Sequence, residues 1–413
     1  MRRLVFLTNV VYTVASDRSR SESEITGGRC TGGPMEQEVV TTRTRNVDAA
    51  VSELCGKLKK NPGSYQAVIF FAAIDYDFPL LSQKIKEKFP ESEVIGASTA
   101  GEFSDQGFTE GSIILTTMSD SSTRVKGVFI DQGSKYPILY KSDIEDALKA
   151  CGIRINDSSS HKDAFALEFT NAVFNAEETI LSNFYAIIKN DKFRLAGATA
   201  GYTGNTPKSY VSYNGRTTQD GAVMLFVKTK CAFDIRQEDI FNPTGKQVFV
   251  TESDTMRRVI STINGRAATT VYAEQLGVSE SQAAQQTFEN PFGRFVNGSL
   301  HIAALASFTP DKKITTFARV TPNTTLHLMH IGDAMEKADE TCAGIKEVIP
   351  RPKFTIMMTC ITRTMYFARS NMQKDIISKY RNTFPTFCGF SCYGEQIDRI
   401  HCNQTLVTLV MGD

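Results

Sequence analysis

A unit of strand, helix, short strand with a small-residue turn, and closing strand recurs three times in this chain, and nothing else in the sequence restricts its fold as strongly. The first copy opens on the apolar run Ala67–Ala73, with Asp77 and Pro79 where a helix cap and first turn belong. Leu81, Ile85 and Phe89 share one helical face, and Pro90 ends it. The turn from Gly96 to Glu102 and a strand over 112–118 follow. The second copy has a strand over 164–169, Asn175 as candidate cap, and the apolar stripe Ile180, Leu181, Phe184, Ile187 and Ile188. It continues through 195–201, the hairpin signal Tyr213-Asn214-Gly215 and a strand over 222–227. The third runs from a strand over 354–359 through a helix carrying Ile376, Ile377 and Tyr380 to 387–395 and a closing strand over 405–410.

Each unit leaves one sheet face apolar, so the copies must pack on one another. The expected architecture is α/β: repeated strand-helix-strand-strand units forming packed mixed sheets flanked by helices, in an αββα-like, two-domain arrangement. Residues 1–34 read as a flexible Ser/Arg/Gly-rich tail, 35–240 as a domain of two units, and 241–413 as a domain of one clear and one degenerate unit around Pro291–Gly298.

Charge excludes one large class of partner. With 46 Lys+Arg against 45 Asp+Glu there is no field to drive nonspecific nucleic-acid binding. No apolar run reaches the roughly 18 residues of a membrane span. Nine cysteines in no framework spacing point to reduced thiols and a cytoplasmic location.

The glycine turns carry the chemistry. Gly96 to Glu102 and Gly389 to Glu395 both read Gly-x4-Gly-Glu, with Ser98, Thr99 and Ser391 offering hydroxyls between glycines that let a ligand approach the backbone. The competing reading is a tight strand connection in which small residues only permit close packing. A phosphate loop is excluded because Glu, not Lys, follows Gly101 and Gly394, and a hydrolase elbow because Tyr393 stands where glycine is required. Cys388, Cys392, His401 and Cys402 match no standard zinc spacing, so no metal site is expected.

These residues resemble the FIST family of sensory modules, which has N-terminal and C-terminal FIST regions. The resemblance rests on Val94 to Glu102, on Gly197-Ala198-Thr199-Ala200-Gly201, on Asn290-Pro291-Phe292-Gly293, on Cys360-Ile361-Thr362-Arg363, on Gly389 to Glu395 and on Asn403-Gln404-Thr405. It departs from the family at Phe292, where Leu is usual, and at Ile361-Thr362, where Ala-Gly is usual. The resemblance implies signal transduction rather than catalysis. It implies a small ligand, with an amino acid proposed, and output through a separate histidine kinase, chemotaxis component or cyclic-dinucleotide enzyme.

The candidate ligand contacts are Gly96, Ser98, Thr99, Gly101, Glu102, Thr199, Gly201, Cys360, Arg363, Gly389, Ser391, Tyr393, Gly394 and Glu395. Arg363 is the expected cation for a ligand carboxylate, and Glu395 and Glu102 are the anions for its ammonium. No resident cofactor is expected. The alternative is a haem-binding nitric-oxide sensor regulating a kinase, with His330 or His161 as axial ligand. A third reading, an enzyme using Cys360 or Ser391 as nucleophile, lacks a histidine within either motif.

Overall fold

A computed structural model describes residues 35–413 except Thr206 and Asn297, so the tail expected over 1–34 lies outside the described residues. The three units each build a sheet with one strand order. In the first, Glu36–Thr42, Ile113–Ser119, Ala67–Ala73 and Glu93–Thr99 lie side by side. The second repeats this with Arg124–Asp131, Gly221–Lys228, Ala164–Asn171 and Arg194–Ala200, and the third with Ala232–Asp239, Thr405–Gly412, Pro352–Cys360 and Cys388–Cys392. The inner pair of every sheet is parallel and bridged by the unit's helix. With both faces covered, these strands are continuous apolar runs without alternation, as at Ala67–Ala73, where every residue is buried.

Each sheet is completed by a hairpin from another unit. Val211–Tyr213 and Arg216–Thr218, from the second unit, extend the first sheet; Glu395–Ile397 and Ile400–Cys402, from the third, extend the second; Glu102–Ser104 and Gly107–Thr109, from the first, extend the third. The exchange is cyclic and gives the three units a pseudo-threefold arrangement. The inner sheet faces meet in one apolar core, where Phe71, Phe169 and Phe390 contact one another with ring centroids 4.5 to 5.8 Å apart. The outer faces pack on helices in three further clusters.

Local signals explain most boundaries. Asp77 accepts from the Leu80 amide, and Asn214 and Gly215 take the positive φ of 48° and 83° that the hairpin needs. Asn175 does not cap the second helix as expected. It sits at φ 52°, Ala176 takes the cap position, and its Oδ1 accepts from Arg258. In the third unit the helix is divided into Ile361–Arg369 and Gln373–Arg381.

The stretch expected to hold a degenerate fourth unit is different in kind. From Phe241–Asp254 to Thr324–Ile331 it forms an eight-stranded sheet, antiparallel throughout, with its own core around Tyr272 and Phe292. It is an insertion between strand Ala232–Asp239 and helix Ala334–Val348 of the third unit. That unit therefore begins before residue 241. Among the described residues seven cysteines are free thiols. Among the described residues no helix is long and apolar enough to cross a membrane.

Candidate functional site

Where each inner strand ends, the chain crosses to the neighbouring sheet, and the three crossings lock together through backbone hydrogen bonds. The Ala100 amide donates to Ser391 O at 2.9 Å and the Ser391 amide to Gly101 O at 2.8 Å. Gly201 N donates to Ser98 O, Tyr393 N to Thr199 O and Thr199 N to Gly394 O, at 2.8 to 3.0 Å. Gly101 and Gly394 hold φ values of +133° and +153°, which a side chain rarely adopts, so these two turns require glycine.

Ser98, Thr199 and Ser391 are equivalent residues, all facing the helices. Their hydroxyls have different fates. Ser98 Oγ donates to Gly201 O and accepts from Tyr210 N, and is wholly consumed by backbone. Thr199 Oγ1 accepts from Gln396 Nε2 at 2.9 Å. Among the described residues Ser391 Oγ has only the Thr364 hydroxyl, at 2.8 Å, and it lines a cleft.

This cleft, about 450 Å³, lies between the first and third units. Gly101, Ala100 and Ser391 form its floor, Thr364 and Gln373 one wall, and Arg43, Arg45, Thr109 and Glu110 the other. A second hollow of about 330 Å³ shares Arg45, Gly101 and Glu110 with it and adds Asp75, Thr99 and Glu102. Arg45 stands between the two, 3.6 Å from Asp75 and 5.3 Å above the Tyr76 ring. Both guanidiniums are exposed, so they are available to an incoming anion.

Several expected contacts are occupied elsewhere. Arg363 is 1% exposed and spent on Glu238, through both its carboxylate and its carbonyl oxygen, and on the Tyr380 hydroxyl. It lines neither hollow, so the expected cation for a carboxylate is instead a buried structural group. Glu102 and Glu395 close their own hairpins: each Oε2 accepts from both the amide and hydroxyl of Ser112 or Thr405, the hydroxyl at 2.6 Å in both. Burial raises the carboxyl of Glu102 and pushes that of Glu395 up to about 8. Thr99 donates to Glu102.

Gly96 and Gly389 serve packing. A Cβ on Gly96 would fall 2.3 Å from the Phe70 ring, and one on Gly389 2.0 Å from Met357 O. A Cβ on Gly201 would fall 2.6 Å from Ala100 N, and the Tyr393 hydroxyl donates to Tyr202 O. Cys360 is buried against the Thr362 hydroxyl, and burial pushes its thiol up to about 12, which disfavours the thiolate a nucleophile requires. His330 is exposed on the strand Thr324–Ile331, and His161 holds Ser158 O at 2.6 Å; neither lines a hollow.

Sequence reasoning brought Gly101, Ser391 and Glu102 to one place but missed Arg43, Arg45, Glu110 and Thr364. The available signal was the charged run Arg43-Thr44-Arg45 directly after a strand, where loops carry function.

No curated relative matches the sequence. Among solved structures the chain is similar, at 7% identity and TM-score 0.31, to a cyanuric acid hydrolase, over 72% of this chain and all of that one. It is similar at 7% identity and TM-score 0.30 to the cyanuric acid hydrolase of A. caulinodans, over 50% of this chain and 72% of that one. Likeness at that level carries no argument about activity. The FIST N domain matches residues 66–266 and the FIST C domain residues 268–398. With most of its length covered by the two matches together, the chain belongs to the FIST-domain family of sensory, signal-transducing proteins.

Proposed function

We propose that this protein senses a small zwitterion, an amino acid in the first instance, in the cleft between its first and third units. One observation carries the reading: the recurring turn of Gly101 and Ser391 forms the floor of a cleft that also presents Arg43, Arg45 and Glu110. A carboxylate would be met by Arg45 and Arg43, and an ammonium by Glu110 with Asp75 beyond it. The hydroxyls of Ser391 and Thr364 supply neutral hydrogen bonds at the floor. Charge-assisted pairing at an exposed rim over a polar floor suits reversible binding, which a sensor requires.

The output would pass to a separate protein such as a histidine kinase. The cleft joins two units, so an occupant bridging Arg45 of the first and Thr364 of the third would favour one relative placement of the two, and a partner reading that placement would receive the signal. Isothermal titration of the purified chain against the standard amino acids tests the reading. Heat of binding from one or a few of them is expected, with affinity at least tenfold weaker in Arg45→Ala. No binding by the wild type, or equal binding by the variant, removes it.

A further inference from the structure

The cyclic arrangement repeats the same crossing between the third and second units, and there the inserted sheet covers it. Hairpin Glu395–Ile397/Ile400–Cys402 matches hairpin Glu102–Ser104/Gly107–Thr109, since Glu395 pairs with Cys402 as Glu102 does with Thr109. Thr405 grips Glu395 as Ser112 grips Glu102. Gly394, Thr199, Cys402, Asn403 and Gln404 thus occupy the places that Gly101, Ser391, Thr109, Glu110 and Gly111 take in the open cleft.

At this second crossing several side-chain polar atoms are buried and unpaired. His401, Asn403 and Gln404 are each 2% exposed and Gln396 is fully buried. Among the described residues, His401 Nε2, Asn403 Nδ2 and Oδ1, Gln404 Oε1 and Gln396 Oε1 have no hydrogen-bond partner. Such groups are costly when left unmet, so a cluster of them marks a place built to be filled. His401 Nε2 and Asn403 Nδ2 converge over Gly394, 2.9 and 3.2 Å from where a Cβ would stand. Gln396 Nε2 donates to His401 Nδ1 at 3.0 Å, so Nδ1 is the accepting nitrogen and Nε2 the donating one.

The inserted sheet forms the roof. Arg258 reaches Glu177 at 2.6 Å and Glu178 at 2.5 Å, and Arg319 lies 3.7 Å from Glu178, so the charged side chains of the roof pair with one another. Strand Ser299–Ala303 lies against Ile400–Cys402, and Gln404 Nε2 donates to Phe288 O. Two N–H donors, His401 Nε2 and Asn403 Nδ2, match a carbonyl oxygen. The amide oxygens Asn403 Oδ1 and Gln404 Oε1 match an NH2 group.

We propose that the crossing between the second and third units is a second, enclosed ligand site that takes a small uncharged carboxamide, its oxygen on His401 and Asn403 and its NH2 on the amide oxygens. The proposal is independent of the open-cleft reading, because it uses none of the same residues.

Equilibrium dialysis of the full chain against radiolabelled acetamide, acetate and methylammonium, three probes of one size and three charges, tests it at any exchange rate. The expected result is about one equivalent of acetamide retained at saturation, with acetate and methylammonium at least tenfold weaker. Asn403→Leu abolishes retention and Asn403→Asp transfers the preference to methylammonium, each checked for native circular dichroism. Arg45→Ala leaves acetamide unaffected. Retention of no probe means the cluster holds water only and overturns the proposal, as does a preference for either ion or acetamide binding unchanged in both Asn403 variants. Loss in Arg45→Ala alone places the amide in the open cleft and likewise overturns it.

Discussion

Replacing Arg363 by alanine separates the structural role found here from the ligand role its sequence motif suggested. The guanidinium is fully enclosed, donates to the Glu238 carboxylate and to Glu238 O at 3.0 Å, and lies 5.2 Å over the Phe367 ring. Truncation leaves Glu238, itself 3% exposed, as a buried carboxylate whose remaining donor is the Tyr380 hydroxyl at 2.8 Å. Stranding one partner of a buried pair costs about 3–5 kcal/mol, a large share of the roughly 5–15 kcal/mol that holds a typical domain folded. Restoring charge balance with Arg363→Met and Glu238→Gln together should recover more than half of that loss, because the desolvation penalty is removed with the charges. Urea denaturation followed by circular dichroism reads the stability, and isothermal titration with the amino acid that binds wild type reads the cleft. The expectation is a lowered midpoint with unchanged affinity in the folded fraction. A stability loss under about 1 kcal/mol combined with weakened binding would refute the reasoning and return Arg363 to the ligand.

Other consequences follow from the same geometry. Gly389→Ala drives a Cβ into Met357 O between two paired strands and should prevent recovery of folded protein, whereas Gly56→Ala, with open space in helix Val47–Lys57, should stabilise by roughly 0.5–1 kcal/mol in the same urea assay. Burial and the nearby Glu177 push the Glu168 carboxyl up to about 8 from an ordinary 4.5, so between those values the folded chain holds a proton that the unfolded chain has released. That group's contribution to stability therefore falls as pH rises through the window, and Glu168→Gln should flatten the decline and raise the urea midpoint at pH 8. Burial also pushes the Cys360 and Cys388 thiols up to about 12, while Cys55 is half-buried on a helix; a thiol reagent on native protein should label Cys55 well before either, by peptide mass mapping.

The units were legible because each strand-helix-strand run carries its own periodicity and punctuation: the apolar block at 67–73, Asp77 with Pro79, the stripe from Ile180 to Ile188. Which sheet a hairpin joins was not legible. Glu395–Ile397 pairs with residues two hundred positions earlier, and nothing local distinguishes that edge from its own unit's. Arg363 illustrates the same limit at the site. A motif arginine reads as a ligand contact until its partner, Glu238, arrives from a strand 125 positions away. Arg45 went unnoticed for the converse reason, since its importance comes from facing Ser391 across a cleft that exists only after the first and third units meet. The inserted sheet was misread because short apolar runs such as 300–305 fit either a parallel or an antiparallel strand, and only the hairpin pairing of Phe292 with Ala303 decides.

The exchanged hairpins also constrain how the chain is made. Synthesis delivers the second sheet's inner edge, strand Arg194–Ala200, long before the hairpin at 395–402 that covers it, and the third unit's closing strand Thr405–Gly412 comes last of all. Until then an edge of bare amide and carbonyl groups stands open on the nascent chain, the kind of edge that recruits other strands. No unit can complete its sheet alone, and the loop closures that complete all three are long-range and slow. A chain lacking residues 394–413 should therefore emerge with two of its three sheets unfinished and prone to aggregate.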